Sequence, residues 1–550
     1  MSAEDAYWMR KSKQPITTGR PPHPIGVKLR NGKNPPKGTP DQGSEGFLVM
    51  QEVNCDLWVL ICLGRGRTNC VLCAKLRVVP AMPRRPRKSA SACQPAPARR
   101  PPLKISATTR ASIENILSAF SPRQVERWAR QSGFIQRRRQ LKPFDFLSLM
   151  VFASWSMIAP SLEALASELE GAFSRVALHY RFTRPASEFL WKCLAWVMTH
   201  GQQFQLVLQT QLLKPFPRVL IHDSSSWDLP PALAGVFPGS GGSASPANCK
   251  VQLTYEVKRG RLQALQLTAG NRPDQSFRPQ GLEAGDLILA DLGFFSLRFF
   301  AAVAGQQAYF LSRLLIGTQL WSAPTGRLMN LPALLQKASG QAYQHAVLMG
   351  AGHRLPCRLI CLRVPALVAQ RRRRRLRQTA CKKGRAASPL HLTLCAWTLL
   401  VTNAPERLLP AAKLYTLYRL RWQVELIFKQ FKSVLRIHHC HTSRPDRLLC
   451  ELYGKWIAAV LVHALQGSLN AELWNQHGQE LSFDKLWKRI QQRALSLAKA
   501  SLHPLHFTRC LLRQLPQLLR SCLKCRPPSR PTSLEQLDCP EKLSFENFPI

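Results

Sequence analysis

RVLIHD (218–223) is the point at which this 550-residue chain changes from helical to β texture. It is a short, β-branched, apolar run closing on Asp223. Two more runs follow, KVQLTYEV (250–257) and LQALQL (262–267), separated by a turn containing Gly260, which reads as a hairpin. DLILAD (286–291) is a fourth run that again closes on an aspartate, Asp291, before the Gly293 break. Helical texture over 296–304 and a fifth strand, AYFLSR (308–313), complete the series. Three antiparallel strands followed by alternating strand and helix make an α/β order. Asp223 and Asp291 are then expected at strand carboxyl ends, where such sheets place their ligands.

The segment before this switch, 112–200, has helical periodicity. Ser121-Pro122 supplies an N-cap and a proline for the first helical position. Arg137, Arg138, Arg139 and Lys142 cluster ahead of Pro143 as a solvated or phosphate-binding patch. Residues 1–105 are basic, Pro-rich and without periodicity, and are expected to be a largely disordered extension in which Met50 or Met82 could be alternative starts. Its Cys55, Cys62, Cys70 and Cys73 include one C-x-x-C pair, but the first two are too loosely spaced for a zinc finger.

No Asp or Glu occurs between Asp291 and Glu406, whereas Arg and Lys recur throughout. Short strands are expected there, with Arg371, Arg372, Arg373, Arg374 and Arg375 on an exposed basic loop facing a polyanion. HLTLCAWTLLVTN (391–403) reads as one strand leading to AAKLYTLYRLRWQVELIFKQFKSVLR (411–436), one long helix. At helical spacing Tyr418, Arg421, Glu425 and Lys432 lie within roughly 60° of one another. His438, His439, Cys440 and His441 cannot all reach one ion from adjacent positions. Residues 448–467 read as a core helix, 476–525 as further helix and 526–550 as a disordered tail.

Composition narrows the partner. With 77 Lys+Arg against 31 Asp+Glu, the net charge is +46. Such an excess suits DNA or RNA, because cationic side chains gain affinity by releasing condensed counterions. An apolar run long enough for a membrane is not evident, the best being 146–160, and the N-terminus is unlike a signal peptide. Seventeen scattered cysteines fit reduced thiols in a cytosol. Two strand-end aspartates and one helical glutamate in so basic a chain suit magnesium, which takes carboxylate and phosphate oxygens and serves phosphoryl transfer. The surrounding positive charge should keep all three ionised.

Tyr418-x2-Arg421-x3-Glu425-x6-Lys432, together with Asp223 in VLIHDSS and Asp291 in ILADLGFFS, resembles the signature of DDE transposases of the insertion-sequence-four type over 112–467. The resemblance implies a small all-helical DNA-binding domain (106–205) ahead of a ribonuclease-H-like catalytic core (206–317 and 396–475). A mostly β, basic insertion domain (318–395) would interrupt that core. It further implies that Asp223, Asp291 and Glu425 bind two Mg2+ ions, for which Mn2+ could substitute, while Tyr418, Arg421 and Lys432 hold DNA phosphates, so that the residues of this strip, Arg421 and Glu425 included, meet substrate before each other. Such proteins cut and join double-stranded DNA as homodimers on paired transposon ends, often through a hairpin intermediate, in the bacterial cytoplasm at the nucleoid. Ser224-Ser225 departs mildly from the residues usual after the first aspartate. A DNA-binding remnant without catalysis and a nuclease that cuts without joining are the other readings.

Overall fold

The computed structural model describes residues 106–492 except 118–119, 138–139, 157–160, 168, 170–172, 200–209, 242–244 and 441, together with 513–515, 517, 519–524, 535 and 537. The extension with its four cysteines, Arg138, Arg139, His441 and most of the C-terminal region therefore lie outside the described residues.

Six helices come first: α1 (Ala107–Leu117), α2 (Pro122–Gln131), α3 (Pro143–Ser156), α4 (Leu162–Ser167), α5 (Arg175–His179) and α6 (Arg184–Thr199). Helix α2 begins as its sequence predicts, with the Ser121 side chain accepting from the Gln124 N–H and Pro122 at the first helical position. The sheet then forms from β1 (Val219–Leu229), the hairpin β2 (Ala247–Glu256) and β3 (Arg261–Ala269), and β4 (Leu287–Ala290). Next come α7 (Leu297–Gly305), β5 (Tyr309–Arg313), β6 (Leu320–Ser322), α8 (Leu331–Gln336), β7 (Ala342–Met349) and β8 (Leu355–Arg363). The chain continues through α9 (Ala366–Lys382), α10 (Pro389–Leu394), β9 (Trp397–Thr402), α11 (Ala411–Arg419), α12 (Trp422–Ser433), α13 (Pro445–His477) and α14 (Phe483–Gln492).

All nine strands join one sheet in the order β3-β2-β1-β4-β5-β9-β8-β7-β6. β1, β4 and β5 run parallel, and every other neighbouring pair is antiparallel. β9 is buried at all six positions, as a strand covered on both faces must be. Alternation then divides the core. Ile221, Leu289, Leu311 and Leu400 face a layer containing Val424, Phe428, Phe431 and Trp456. Leu220, Ile288, Phe310 and Val401 face α7 through Phe299, Phe300 and Val303.

Four expectations need correction. First, 318–395 is not a mostly β body of its own: β6, β7 and β8 extend the central sheet through β9, and the segment carries α8, α9 and α10 besides. Second, the five arginines lie on a helix, α9, and 391–403 divides into the end of α10 and β9. Third, 411–436 is broken at Leu420–Arg421, where the N–H of Arg421 bonds to Tyr418 O (3.1 Å) and that of Gln423 to Leu420 O (2.8 Å) in tightened, three-residue turns. Fourth, the early helices do not enclose a separate core. Ile113, Val125, Phe146 and Phe189 belong to the same apolar cluster as Trp456 and Leu465 of α13.

Helix α13 also answers the membrane question. It contains a window of mean hydropathy 1.5, long and apolar enough to cross a membrane, but 83% of that window is buried inside the fold. Its charged residues are accommodated there: Glu451 accepts from Arg447 Nε (2.8 Å) and Lys455 Nζ donates to Arg436 O (3.1 Å). A Cβ at Gly454 would lie 2.4 Å from the Met150 carbonyl oxygen, so only glycine allows α13 to pass this close to α3.

Candidate active site

Three separate elements bring the carboxylates together. β1 pairs with β4 only as far as Ile221 opposite Leu289. Beyond that point the flank of β1 is open, because the chain leaves β4 at Ala290. Asp223 occupies this flank in mid-strand, since β1 continues to Leu229 on its pairing with β2, a correction to the expected strand end. Asp291 immediately follows β4 and leads into a tight turn at Leu292–Phe294. Because β1 and β4 are parallel, both aspartates emerge at one edge. Glu425 arrives from the first turn of α12, which packs on β1.

Between the three sits Arg421, at the joint of α11 and α12. Its guanidinium is 2.8 Å from Glu425 Oε1, 3.5 Å from Asp223 Oδ2 and 3.6 Å from Asp291 Oδ1. Tyr418 is buried and places its hydroxyl 3.4 Å from Asp291 Oδ1, while Lys432 Nζ donates to the Ser226 carbonyl at 3.0 Å. The expectation that Arg421 and Glu425 meet substrate before each other is therefore reversed here, since they are directly paired. Among the described residues, no three His, Cys, Asp or Glu side chains stand close enough to ligate one ion as placed. A guanidinium occupies the space between the three carboxylates.

Asp223 ionises less readily than the charge balance alone suggests, while a value of about 6 still leaves it mostly ionised at neutral pH. Burial, with Asp291 and Glu425 nearby, pushes Asp223 up to about 6 despite the Ser224 N–H (2.8 Å) and Arg421. Tyr418 is pushed up to about 12 by burial and by Asp291, so its hydroxyl stays a donor. A raised carboxyl stabilises the fold only while protonated, and that contribution is lost as pH rises through about 6. Asp223→Asn escapes this cost. In EDTA the variant should be more stable than the parent at pH 8, by up to about 3 kcal/mol, with the difference vanishing near pH 4. Thermal melts across that range measure it, and an unchanged difference at both ends contradicts it.

A second cluster, for which the sequence carries no local signal, braces Asp223. Ser224, whose N–H donates to Asp223, donates its hydroxyl to Asp274 Oδ1 at 2.7 Å. Lys250 Nζ (3.1 Å) and Gln252 Nε2 (3.5 Å) reach the same oxygen. Burial works against ionisation of Asp274, but these donors outweigh it and hold its carboxyl below the usual range. Neighbouring His222 stacks on Phe277 and is driven down to about 3 by burial, which keeps it neutral. In sequence, Asp274 sits in a PDQS turn with nothing to distinguish it from a surface aspartate. It lies in the turn after β3 and meets β1 and β2 through the side chains of Ser224, Lys250 and Gln252.

The basic residues divide by orientation. Arg137 and Lys142 are exposed, as are Arg371, Arg374 and Arg375 on one side of α9. Arg372 and Arg373 are turned inward: the first donates to Trp397 O (3.1 Å) and Thr398 Oγ1 (3.2 Å), the second to Leu392 O (3.1 Å).

Residues 214–461 match the transposase DDE domain family, and this span contains all three carboxylates with Tyr418, Arg421 and Lys432. The chain carries a transposase DDE domain over this span. It is similar to the transposase for insertion sequence element IS231F of Bacillus thuringiensis subsp. israelensis, 28% identical over 426 residues, covering 73% of this chain and 89% of that protein. The IS231C transposase of Bacillus thuringiensis subsp. berliner is 29% identical over 70% of this chain and 86% of its own length. That for IS1151 of Clostridium perfringens is 27% identical over 63% and 79%. The cryo-EM structure of a piggyBac transposase synaptic complex with hairpin DNA aligns over 76% of this chain and 86% of that one, at 12% identity and a TM-score of 0.39.

A DDE transposase cuts and joins DNA by divalent-metal chemistry, and the donor set of this transposase fits such an ion. Three carboxylates, the ligand type a hard cation takes, already converge on one cationic group.

Proposed function

We propose that this transposase binds the ends of an insertion sequence and catalyses magnesium-dependent cleavage and strand transfer, with Asp223, Asp291 and Glu425 as the carboxylates that hold two Mg2+ ions. The observation carrying this reading is the convergence of the three acids on a single guanidinium at the edge where the pairing of parallel β1 and β4 ends. The order β3-β2-β1-β4-β5, three antiparallel strands followed by two parallel ones, supports a ribonuclease-H-like core. On this reading 206–317 and 396–475 form that core, 318–395 is an insertion that lengthens its sheet, and 106–205 contributes DNA contacts through Arg137 and Lys142.

Bound there, magnesium supplies the Lewis acidity that activates water or a 3′-hydroxyl and stabilises the leaving oxygen. The chain's own residues orient the strand. Arg421 can grip a phosphate with two parallel N–H donors, Tyr418 offers a neutral hydroxyl, and Lys432, anchored on Ser226 O, adds a point charge close to Asp223 along β1. Ser224 and Asp274 keep Asp223 from turning away. A homodimer on paired ends would place the second copy's basic surface on the same DNA, in the cytoplasm of a bacterium beside its nucleoid. The Tyr418, Arg421, Glu425 and Lys432 spacing is the subgroup feature behind the insertion-sequence-four assignment.

Joining is the discriminating activity. Purified protein incubated with Mg2+, plasmid and a labelled fragment from the DNA flanking the reading frame should yield covalent insertion products. Cut ends without joined products would favour a nuclease. Binding without any cut would favour a remnant that has lost catalysis.

A further inference from the structure

Arg421 occupies the position that the three carboxylates would need for an ion. Its side chain is only 15% exposed, and its nitrogens reach Asp223, Asp291 and Glu425 at 3.5, 3.6 and 2.8 Å. Charge and space both make its occupancy exclusive. A divalent ion must bring carboxylate oxygens to about 2.1 Å, whereas the guanidinium holds them around a planar group several ångströms across.

Exchange of this side chain needs only rotation about its own bonds, because the backbone of Arg421 stays hydrogen-bonded to Tyr418 and Val424 on either side. Arg421 lies at the break between α11 and α12, and its side chain can leave the carboxylates without any hydrogen bond of either helix being lost. The site is also open on that side. Glu425 and Asp291 are 35% and 36% exposed, and Trp422, the next residue, is 57% exposed. A DNA phosphate arriving from this direction offers Arg421 a bidentate acceptor in exchange for its carboxylates.

We infer that Arg421 is an exchangeable latch: its guanidinium closes the carboxylate site of the DNA-free transposase, and a backbone phosphate draws it out so that the divalent ion binds after DNA. This rests on the proposed assignment of the three carboxylates. The consequence is thermodynamic. If DNA takes the competitor away, DNA and the ion strengthen each other's binding by the same factor. An enzyme so arranged keeps its metal site shut until a strand is in place, which limits stray cutting by a protein carrying a charge of +46.

The test is Mn2+ binding to the full chain, followed by electron paramagnetic resonance of the free ion, without and with a short mixed-sequence duplex. Arg421→Gln should bind Mn2+ about tenfold or more tighter than the parent when DNA is absent, and the duplex should then add much less than it adds to the parent. Arg421→Lys, which keeps the charge on a shorter stem, should fall between them and serves equally if the glutamine variant does not fold. Asp223→Asn defines the site. Mn2+ binding that depends on Asp223 but is no tighter in either Arg421 variant overturns the latch and leaves the site assignment standing. Binding that is indifferent to Asp223→Asn overturns the site assignment, and the latch with it.

Discussion

Glu425→Gln should abolish strand cleavage while leaving DNA binding largely intact. The substitution keeps the shape and removes one charge. Two accounts of Glu425 predict very different sizes of effect. If Glu425 served only to pair with Arg421, a partly exposed i, i+4 ion pair, its loss would cost about 1 kcal/mol and cutting would persist. If it holds the ion, cutting should fall on the order of a thousandfold or more, about 4 kcal/mol of transition-state stabilisation. Gel assays of nicked product beside electrophoretic mobility shifts separate the two. A variant that still cuts at a rate close to the parent's would remove Glu425 from the site.

The second large effect lies on α9. Replacing Arg371, Arg374 and Arg375 with alanine removes three exposed cations from a stretch in which no acid occurs between Asp291 and Glu406. DNA affinity should fall, and the slope of log affinity against log salt should shrink by about 0.9 for each phosphate that is no longer neutralised. Replacing the inward pair, Arg372 and Arg373, should behave differently. Their bonds to Trp397 O, Thr398 Oγ1 and Leu392 O tie α9 to the sheet, so the loss should appear as about 1–3 kcal/mol of stability, read from denaturant midpoints, with the salt slope largely unchanged. An identical salt slope for the outward triple variant would reduce α9 to a solvated helix.

How much of this is legible in the sequence depends on how local each feature is. The β2–β3 hairpin announces itself through two apolar runs and Gly260, which takes a positive φ of 65° in the turn. Asp291 follows its strand because LILA is uniformly apolar and stops there. Helical spacing alone groups Tyr418, Arg421 and Glu425. By contrast, β1 runs on through Ser224, Ser225 and Ser226 because β2 supplies partners that a local reading cannot see. Sheet continuity through β9 is likewise a non-local pairing. α9 reads as a loop because it lacks apolar periodicity; it packs instead through Ala369 and Ala380 and two inward arginines. The expected core helix at 448–467 already includes Glu451 and Lys455, but Gly467 reads as its end whereas α13 runs on to His477. The bracing role of Asp274 depends wholly on tertiary contact.

Direct ligation of a metal by these carboxylates is best tested by changing one ligand atom. Asp291, the most exposed of the three at 36%, tolerates cysteine sterically, and thiolate binds Mn2+ far better than it binds Mg2+. Asp291→Cys should leave DNA bound but uncut in Mg2+ and should recover cutting when Mn2+ is supplied. Cutting in Mg2+ at the parental rate, or no recovery in Mn2+ by a variant that folds and binds DNA, would contradict the assignment of Asp291 to the ion.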